Sequence, residues 1–193
     1  MLRRLYDWTM SLAASRHAVT ALGAISFIES SVFPIPPDTL LIPMVIAERR
    51  RAWWYATLAT ISSVLGGIAG YLIGAFLFDQ VAWPILTAYG YADKFETFRG
   101  WYNDWGVWIV LVAGVTPFPF KVITIASGAT GLNMIVFVLA SIIARGARFF
   151  AVAALLYVFG PPIKDFIERR LGLVFTVAMV LLIGGFVVAR YAV

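Results

Sequence analysis

Phe27-Ile-Glu-Ser-Ser-Val-Phe-Pro-Ile-Pro-Pro-Asp-Thr-Leu-Leu41 decides the fold, because it sets three prolines and two acids inside an otherwise apolar stretch. Pro34, Pro36 and Pro37 remove three amide donors and turn the residues before them away from helix, so the segment is an irregular tip. Uncharged limbs flank it: Ala18–Ile28 leads in, and Thr39–Ala47 leads out to Arg49, Arg50 and Arg51. At 1.5 Å per residue, each limb crosses only about half of a roughly 30 Å hydrocarbon layer. A second segment repeats the order. Trp105–Val115 leads to Thr116-Pro-Phe-Pro-Phe-Lys121, where Pro117 and Pro119 break the chain, and Val122–Ser127 leads out to Gly128 and Gly131.

The composition around these tips belongs to a bilayer. Of 193 residues, 62% are hydrophobic and 13% charged, against about half and a quarter in a soluble domain, and one core of this size cannot hide that excess. Disordered, disulfide-built and zinc-thiolate classes fall away, since there is no Cys and little polar sequence. The net charge of +5 suits the cytoplasmic flanks of membrane spans and anionic lipid better than nucleic acid.

Uncharged runs give the remaining layout. Ala52–Phe78 is 27 residues long, Val122–Ala144 is 23 and Leu171–Ala189 is 19. The expected architecture is an all-α polytopic membrane protein in a single membrane domain, with two re-entrant hairpins at 18–47 and 105–131. About three full transmembrane helices, at 52–78, 133–160 and 171–190, and an interfacial connector at 79–104 complete it. One long span separates the hairpins, so they enter from opposite faces, as in an inverted repeat with its site at the midplane. Arg3, Arg4, Arg49 to Arg51, Lys164, Arg169 and Arg170 then share one side, expected to be cytoplasmic. The connector is expected at the other face, anchored by Trp83, Trp101 and Trp105. The N-terminal stretch is not read as a cleavable signal, since its first apolar run leads straight into Glu29 and prolines.

Glu29, Asp38, Lys121, Arg145 and Arg148 fall at membrane depth in this layout, where charges are costly and mark substrate or proton paths. Arg145 and Arg148 are three apart and share a helix face. Two acids and three bases leave one positive charge over, which an anionic head group balances. Lys121, Arg145 and Arg148 are therefore the candidate phosphate-binding residues, arginine offering a planar fork and lysine a point charge. Burial disfavours a charged carboxylate and a neighbouring arginine favours it, which makes Glu29 and Asp38 candidates for proton coupling or gating. The competing reading is that the five only pair with one another. The Arg49–Arg51 triplet reads as a positive-inside anchor. His17, the single histidine, cannot supply a His-based metal cluster, and Gly66, Gly70 and Gly74, spaced by four, read as a helix-packing stripe.

The segments Phe27–Leu41, Gly66–Gly74 with Tyr71, and Thr116–Gly128 followed by Ala144-Arg-Gly-Ala-Arg-Phe-Phe150 together resemble the DedA superfamily, also called SNARE-associated or VTT-domain proteins, most closely its YqaA-like branch. The resemblance spans about Ala18 to Gly160. It implies two opposed re-entrant hairpins and a lipid transporter, flippase or scramblase, with undecaprenyl phosphate or phospholipid as substrate and proton-motive force as a driver. Glu29 and Asp38 match the family's acidic pair, and Lys121 replaces an arginine after the second proline motif. The usual Gly-Asp before the tyrosine is Gly66-Gly67 here, and the arginine expected before the second proline motif is absent.

The expected function is transport or scrambling of phosphate-bearing lipids, with membrane lipids and protons as partners, no nucleic acid, no cofactor or metal, and room for a homo-oligomer. Expected localisation is an integral membrane position, the plasma (inner) membrane if bacterial. A proton-coupled exchanger of small ions or solutes, and a non-transporting assembly protein, remain open alternatives. An enzyme is not expected, for want of a nucleophile, base and orienter set.

Overall fold

A computed structural model of the chain describes residues 17–32, 36–116 and 118–169, with side chains as far as residue 160. The described residues are helical and turn structure, without a strand. Among the described residues seven α-helices follow one another: α1 (Ala18–Ser31), α2 (Asp38–Ala47), α3 (Ala52–Leu77), α4 (Trp83–Ala88), α5 (Ala92–Val115), α6 (Phe120–Thr130) and α7 (Met134–Arg169). Pro34, Pro117, Arg3, Arg4 and the span expected at 171–190 lie outside the described residues.

Local chemistry sets the helix ends. Pro37 precedes α2, where its fixed φ suits a helix start, and Asp38 puts an acid in the first turn. Asn133 caps α7 by accepting at Oδ1 from the amides of Ile135 at 2.9 Å and Val136 at 3.2 Å. Gly131, at φ 69°, closes α6 in the left-handed conformation, and the Leu132 amide returns to the Ser127 carbonyl. Nothing breaks the chain between Ala92 and Val115, so most of the expected connector is helical and α5 runs without interruption into the limb that approaches the second tip. α3 likewise continues past Phe78, through a widened turn at Phe78–Ala82, into α4. Pro84 withholds the amide that the Gln80 carbonyl would accept in an unbroken helix, which suits the widening there.

Among the described residues two helices are long and apolar enough to cross a membrane, Arg49–Ala88 and Met134–Gly160, and their outward residues, among them Leu65, Leu72, Phe76, Leu139 and Ile143, are exposed hydrophobics. The chain is an all-α integral membrane protein. α3 and α7 pack antiparallel: Trp53 lies beside Tyr157, Ser63 beside Arg145 and Tyr71 beside Phe137.

Shorter helices flank each of these two end to end. α1 runs parallel to the first half of α3, with Gly23 near Leu58 and Ser62 and the Phe27 backbone on Gly66. α6 runs parallel to the next stretch, with Thr124 on Gly70 and Ile125 on Gly74. A Cβ at Gly66 would fall 2.1 Å from the Phe27 carbonyl oxygen, and one at Gly128 would fall 1.9 Å from that of Tyr71, so both contacts require glycine. On α7 the arrangement recurs. α5 lies along its first half, Gly106 on Leu132 and Gly114 on Ala144, and α2 follows from Asp38 beside Arg148.

Two apolar cores result. One joins α1, α2, α3 and the later part of α7 through Leu22, Leu41, Met44, Tyr55, Phe149 and Leu156. The other joins α5, α6 and the start of α7 through Tyr102, Val110, Phe120, Ile123 and Phe137. Buried polar and charged side chains, among them Glu29, Ser30, Ser63, Thr124 and Arg145, gather where the short helices meet, between these cores.

Candidate functional site

The C-terminal end of α1 faces the N-terminal end of α6. The last carbonyls of a helix have no intrahelical donor, and here the other segment supplies them. Lys121 Nζ donates to the Val32 carbonyl at 3.2 Å, and Thr124 Oγ1 to that of Ser30 at 3.0 Å. Likewise Arg148 Nη1 donates to the Thr116 carbonyl, just past the end of α5, at 3.0 Å.

Arg145 projects from α7 into the interior and is fully buried. Its Nη2 donates to Glu29 Oε2 at 2.6 Å and its Nε to Ser63 Oγ at 2.6 Å. Ser30 Oγ completes the ring, 2.7 Å from Ser63 Oγ and 3.1 Å from Glu29 Oε2. The rings of Phe120 and Phe149 lie 4.9 and 4.8 Å from the guanidinium carbon, favourable cation–π contacts that replace solvent. Among the described residues one donor, Arg145 Nη1, is buried without a partner.

Arg148, one turn further on, pairs through Nη2 with Asp38 Oδ2 and keeps 18% of its side chain exposed. Asp38 Oδ1 is buried and has no partner among the described residues. Lys121 has no carboxylate partner among the described residues; its bond is to the Val32 carbonyl.

Four of the five predicted charges are thus joined as two cross-segment ion pairs, and the fifth caps the helix that carries Glu29. Lys121 and Arg148 reach solvent-accessible surface, whereas Arg145 is sealed by two phenylalanines. Pro36 and Pro37 lie at the first tip and Pro119 immediately precedes α6. Ser30, Ser63, Thr124, Phe120 and Phe149 were not singled out as site residues. Ser63, inside a 27-residue uncharged span and three residues before Gly66, is the one with a visible signal.

Among the described residues the pairing leaves these five groups with one positive charge above neutrality and one unpartnered arginine donor. Among the described residues no group of three or more Asp, Glu or His is placed to hold a metal.

A family model described as the VTT domain matches residues 35–160. An uncharacterized protein of Haemophilus influenzae is 42% identical over 151 residues, which cover 78% of this chain and 78% of that protein. A Histophilus somni protein, named only as an uncharacterized homologue, is 41% identical over 151 residues, again 78% of each chain. No solved structure matches the chain.

Proposed function

The chain belongs to the VTT-domain family, within the DedA superfamily, and on that footing we propose that it is a transporter or scramblase of lipids with phosphate-bearing head groups. Within the family we assign it to the YqaA-like branch, on the Phe27–Leu41 and Thr116–Gly128 motifs, and to the plasma membrane of a bacterium. The reading includes two inverted re-entrant hairpins, α1–α2 and α5–α6. It is supported by the end-to-end seating of α1 and α6 on α3, and of α5 and α2 on an antiparallel α7. At 14 and 11 residues, α1 and α6 are about 21 and 16 Å long, each too short for the roughly 30 Å layer.

The observation that carries the proposal is the surplus cation: Lys121 is bound to a carbonyl alone beside two Arg–carboxylate pairs. A phosphate entering between the tips meets Lys121 and Arg148 first and competes with Asp38 for the arginine fork. Protonation of Glu29 would remove a negative charge from beside the arginines and strengthen the hold of Lys121 and Arg148 on the anion. Proton binding and head-group binding are then coupled at one place while the hydrocarbon chains stay in lipid. The reaction is movement without covalent change, so the chain is assigned no catalytic residue.

Purified protein in liposomes with head-group-labelled anionic and zwitterionic lipids tests this. Movement of label between leaflets, reduced in Lys121→Ala, is expected. Folded protein that moves no lipid, with or without a pH gradient, overturns the proposal, and proton flux that follows an added ion but not the lipid species would replace it with ion exchange.

A further inference from the structure

Apart from α4, the described helices fall into two sets: α1 and α6 are seated on α3, and α5 and α2 on α7. Among the described residues every glycine approach under 3 Å stays within a set, at Gly66, Gly70, Gly74 and Gly128 in the first and at Gly106 and Gly114 in the second. Those that cross, at Gly67, Gly131, Gly146 and Gly160, lie at 3.2–3.8 Å and meet only side chains, which can repack where backbone cannot. The helix-end bonds respect the same division: Lys121 and Thr124 hold the end of α1, and Arg148 holds the end of α5. The chain passes from set to set five times, each time at a break that can absorb a change of direction: the two proline tips, Glu48–Arg51, the widened turn with Gly90 after it, and Gly131. We propose that the two sets are rigid bodies that rock against each other about Arg145, opening one end of the molecule at a time.

Polar bonds cross between the sets at three depths. In the middle, Arg145 of α7 holds Glu29 and Ser63 of the first set at 2.6 Å each, between Phe120 of one set and Phe149 of the other. At one end Arg49 holds the Tyr157 carbonyl. At the opposite end Tyr71 Oη donates to the Leu132 carbonyl at 2.6 Å, Arg99 Nε and Asn103 Nδ2 donate to that of Thr130 at 2.9 and 3.1 Å, and Tyr102 Oη lies 3.0 Å from Ser127 Oγ. A buried ion pair is the costliest of these to part, whereas the end bonds go to neutral carbonyls and a hydroxyl, so the middle stays joined while either end lets go. Along α3, Arg49 stands about 21 Å before Ser63 and Tyr71 about 12 Å after it. A rotation of about 15°, the size that packed subunits make, therefore shifts the two ends by about 5 and 3 Å. The rocking deepens the transport reading by naming a motion that exposes the middle to each side in turn, and it rests on that reading for its purpose but not for its test, which reads distances.

The chain has no cysteine, so spin labels can be placed in pairs by cysteine substitution at four exposed residues: Thr20 and Phe76 in the first set, Val107 and Val158 in the second. Double electron–electron resonance on the full chain in lipid nanodiscs should give narrow distances within a set, for Thr20–Phe76 and Val107–Val158. Across the sets, Thr20–Val158 at one end and Phe76–Val107 at the other should be broad or two-peaked. Arg49→Ala should lengthen Thr20–Val158 by about 5 Å and leave Phe76–Val107 no longer than before; Arg99→Ala with Asn103→Ala should lengthen Phe76–Val107 by about 3 Å and leave Thr20–Val158 no longer than before. Three outcomes overturn the proposal: within-set distances that change as much as the cross-set ones, two ends that lengthen together, or four distances that stay equally narrow and fixed in the unaltered chain and both variants. Should a latch variant not fold, the widths in the unaltered chain decide alone. Rocking sets in protein that moves no lipid leave the device standing and remove the transport reading. Lipid movement with equal, narrow widths in all four pairs does the reverse.

Discussion

Arg49, at the start of the α3 helical run, donates from Nη2 to the backbone carbonyl of Tyr157, 108 residues later, and reaches that of Val158 at 3.5 Å. These are the two carbonyls that α7 cannot satisfy for itself, because the residues four positions on are Pro161 and Pro162, which have no amide hydrogen. The guanidinium also lies over the Tyr157 ring, its carbon 5.6 Å from the centroid. Arg49 is therefore distinct from Arg50 and Arg51, with which the sequence groups it as a charge anchor. It ties α3 to the far end of α7.

Arg49→Ala should destabilise the protein by about 1–3 kcal/mol, the range for hydrogen bonds made by a charged group, whereas Arg50→Ala should lie within about 0.5 kcal/mol of wild type. Thermal unfolding in one detergent, read by tryptophan fluorescence, checks both. Equal effects at the two positions would return Arg49 to the anchor class.

Breaking the pair in the phenylalanine cage should be more severe. Arg145→Ala strands Glu29 and opens a void between Phe120 and Phe149, and should cost about 3–5 kcal/mol. Arg145→Lys should recover little, since an ammonium cannot span Glu29 and Ser63 while stacking on two rings. The double change Glu29→Gln with Arg145→Gln should be less damaging than the sum of the singles, measured as a double-mutant cycle in unfolding. Additivity would mean that the pair is not coupled.

Lys121 separates a transport role from a structural one. As a cap on a single carbonyl it should contribute only about 0.5–1.5 kcal/mol to stability, so Lys121→Ala should remain folded while lipid movement falls at least tenfold, and Lys121→Arg should restore most of the rate. Parallel loss of fold and movement would place Lys121 among the assembly residues.

Glycine substitutions test the seating of the short helices on α3. Gly66→Ala and Gly128→Ala should each cost upwards of about 1–3 kcal/mol, because the new Cβ meets backbone rather than a movable side chain. Gly100→Ala is the control: nothing lies within 4 Å, and the change should stabilise α5 by up to about 1 kcal/mol. A thermal-shift series over the three positions is sufficient.

The membrane class, the helical fold and the clustering of charges at the proline breaks were legible because charge in an apolar run is expensive and must be explained wherever it occurs. Which acid meets which arginine was not legible. Arg145 and Arg148 share a helix face, and the choice depends on how far Glu29 and Asp38 stand from the tip on helices that run along different partners. Phe120 and Phe149 looked like packing, since a ring that faces a cation has no sequence mark to distinguish it from one that faces a leucine. The acids and bases of 92–104 suggested a surface-lying, partly helical connector; none of them stops a helix, and α5 runs on from Ala92 to Val115 without a break. The Arg49 clamp had half a signal: Pro161-Pro162 announces two orphaned carbonyls, and only the return of the chain in space names their donor.

The pairing of distant segments also sets an order of assembly. Asp38 must wait for Arg148, 110 residues downstream, and Glu29 for Arg145, 116 residues downstream. At about 5–20 residues per second of synthesis, α1 and α2 exist for roughly 6–23 s without these counter-ions. During that interval the Gly66–Gly74 face of α3 lacks α6, and the two carboxylates lack their arginines. The charge balance of the first half is therefore completed only when the second half arrives.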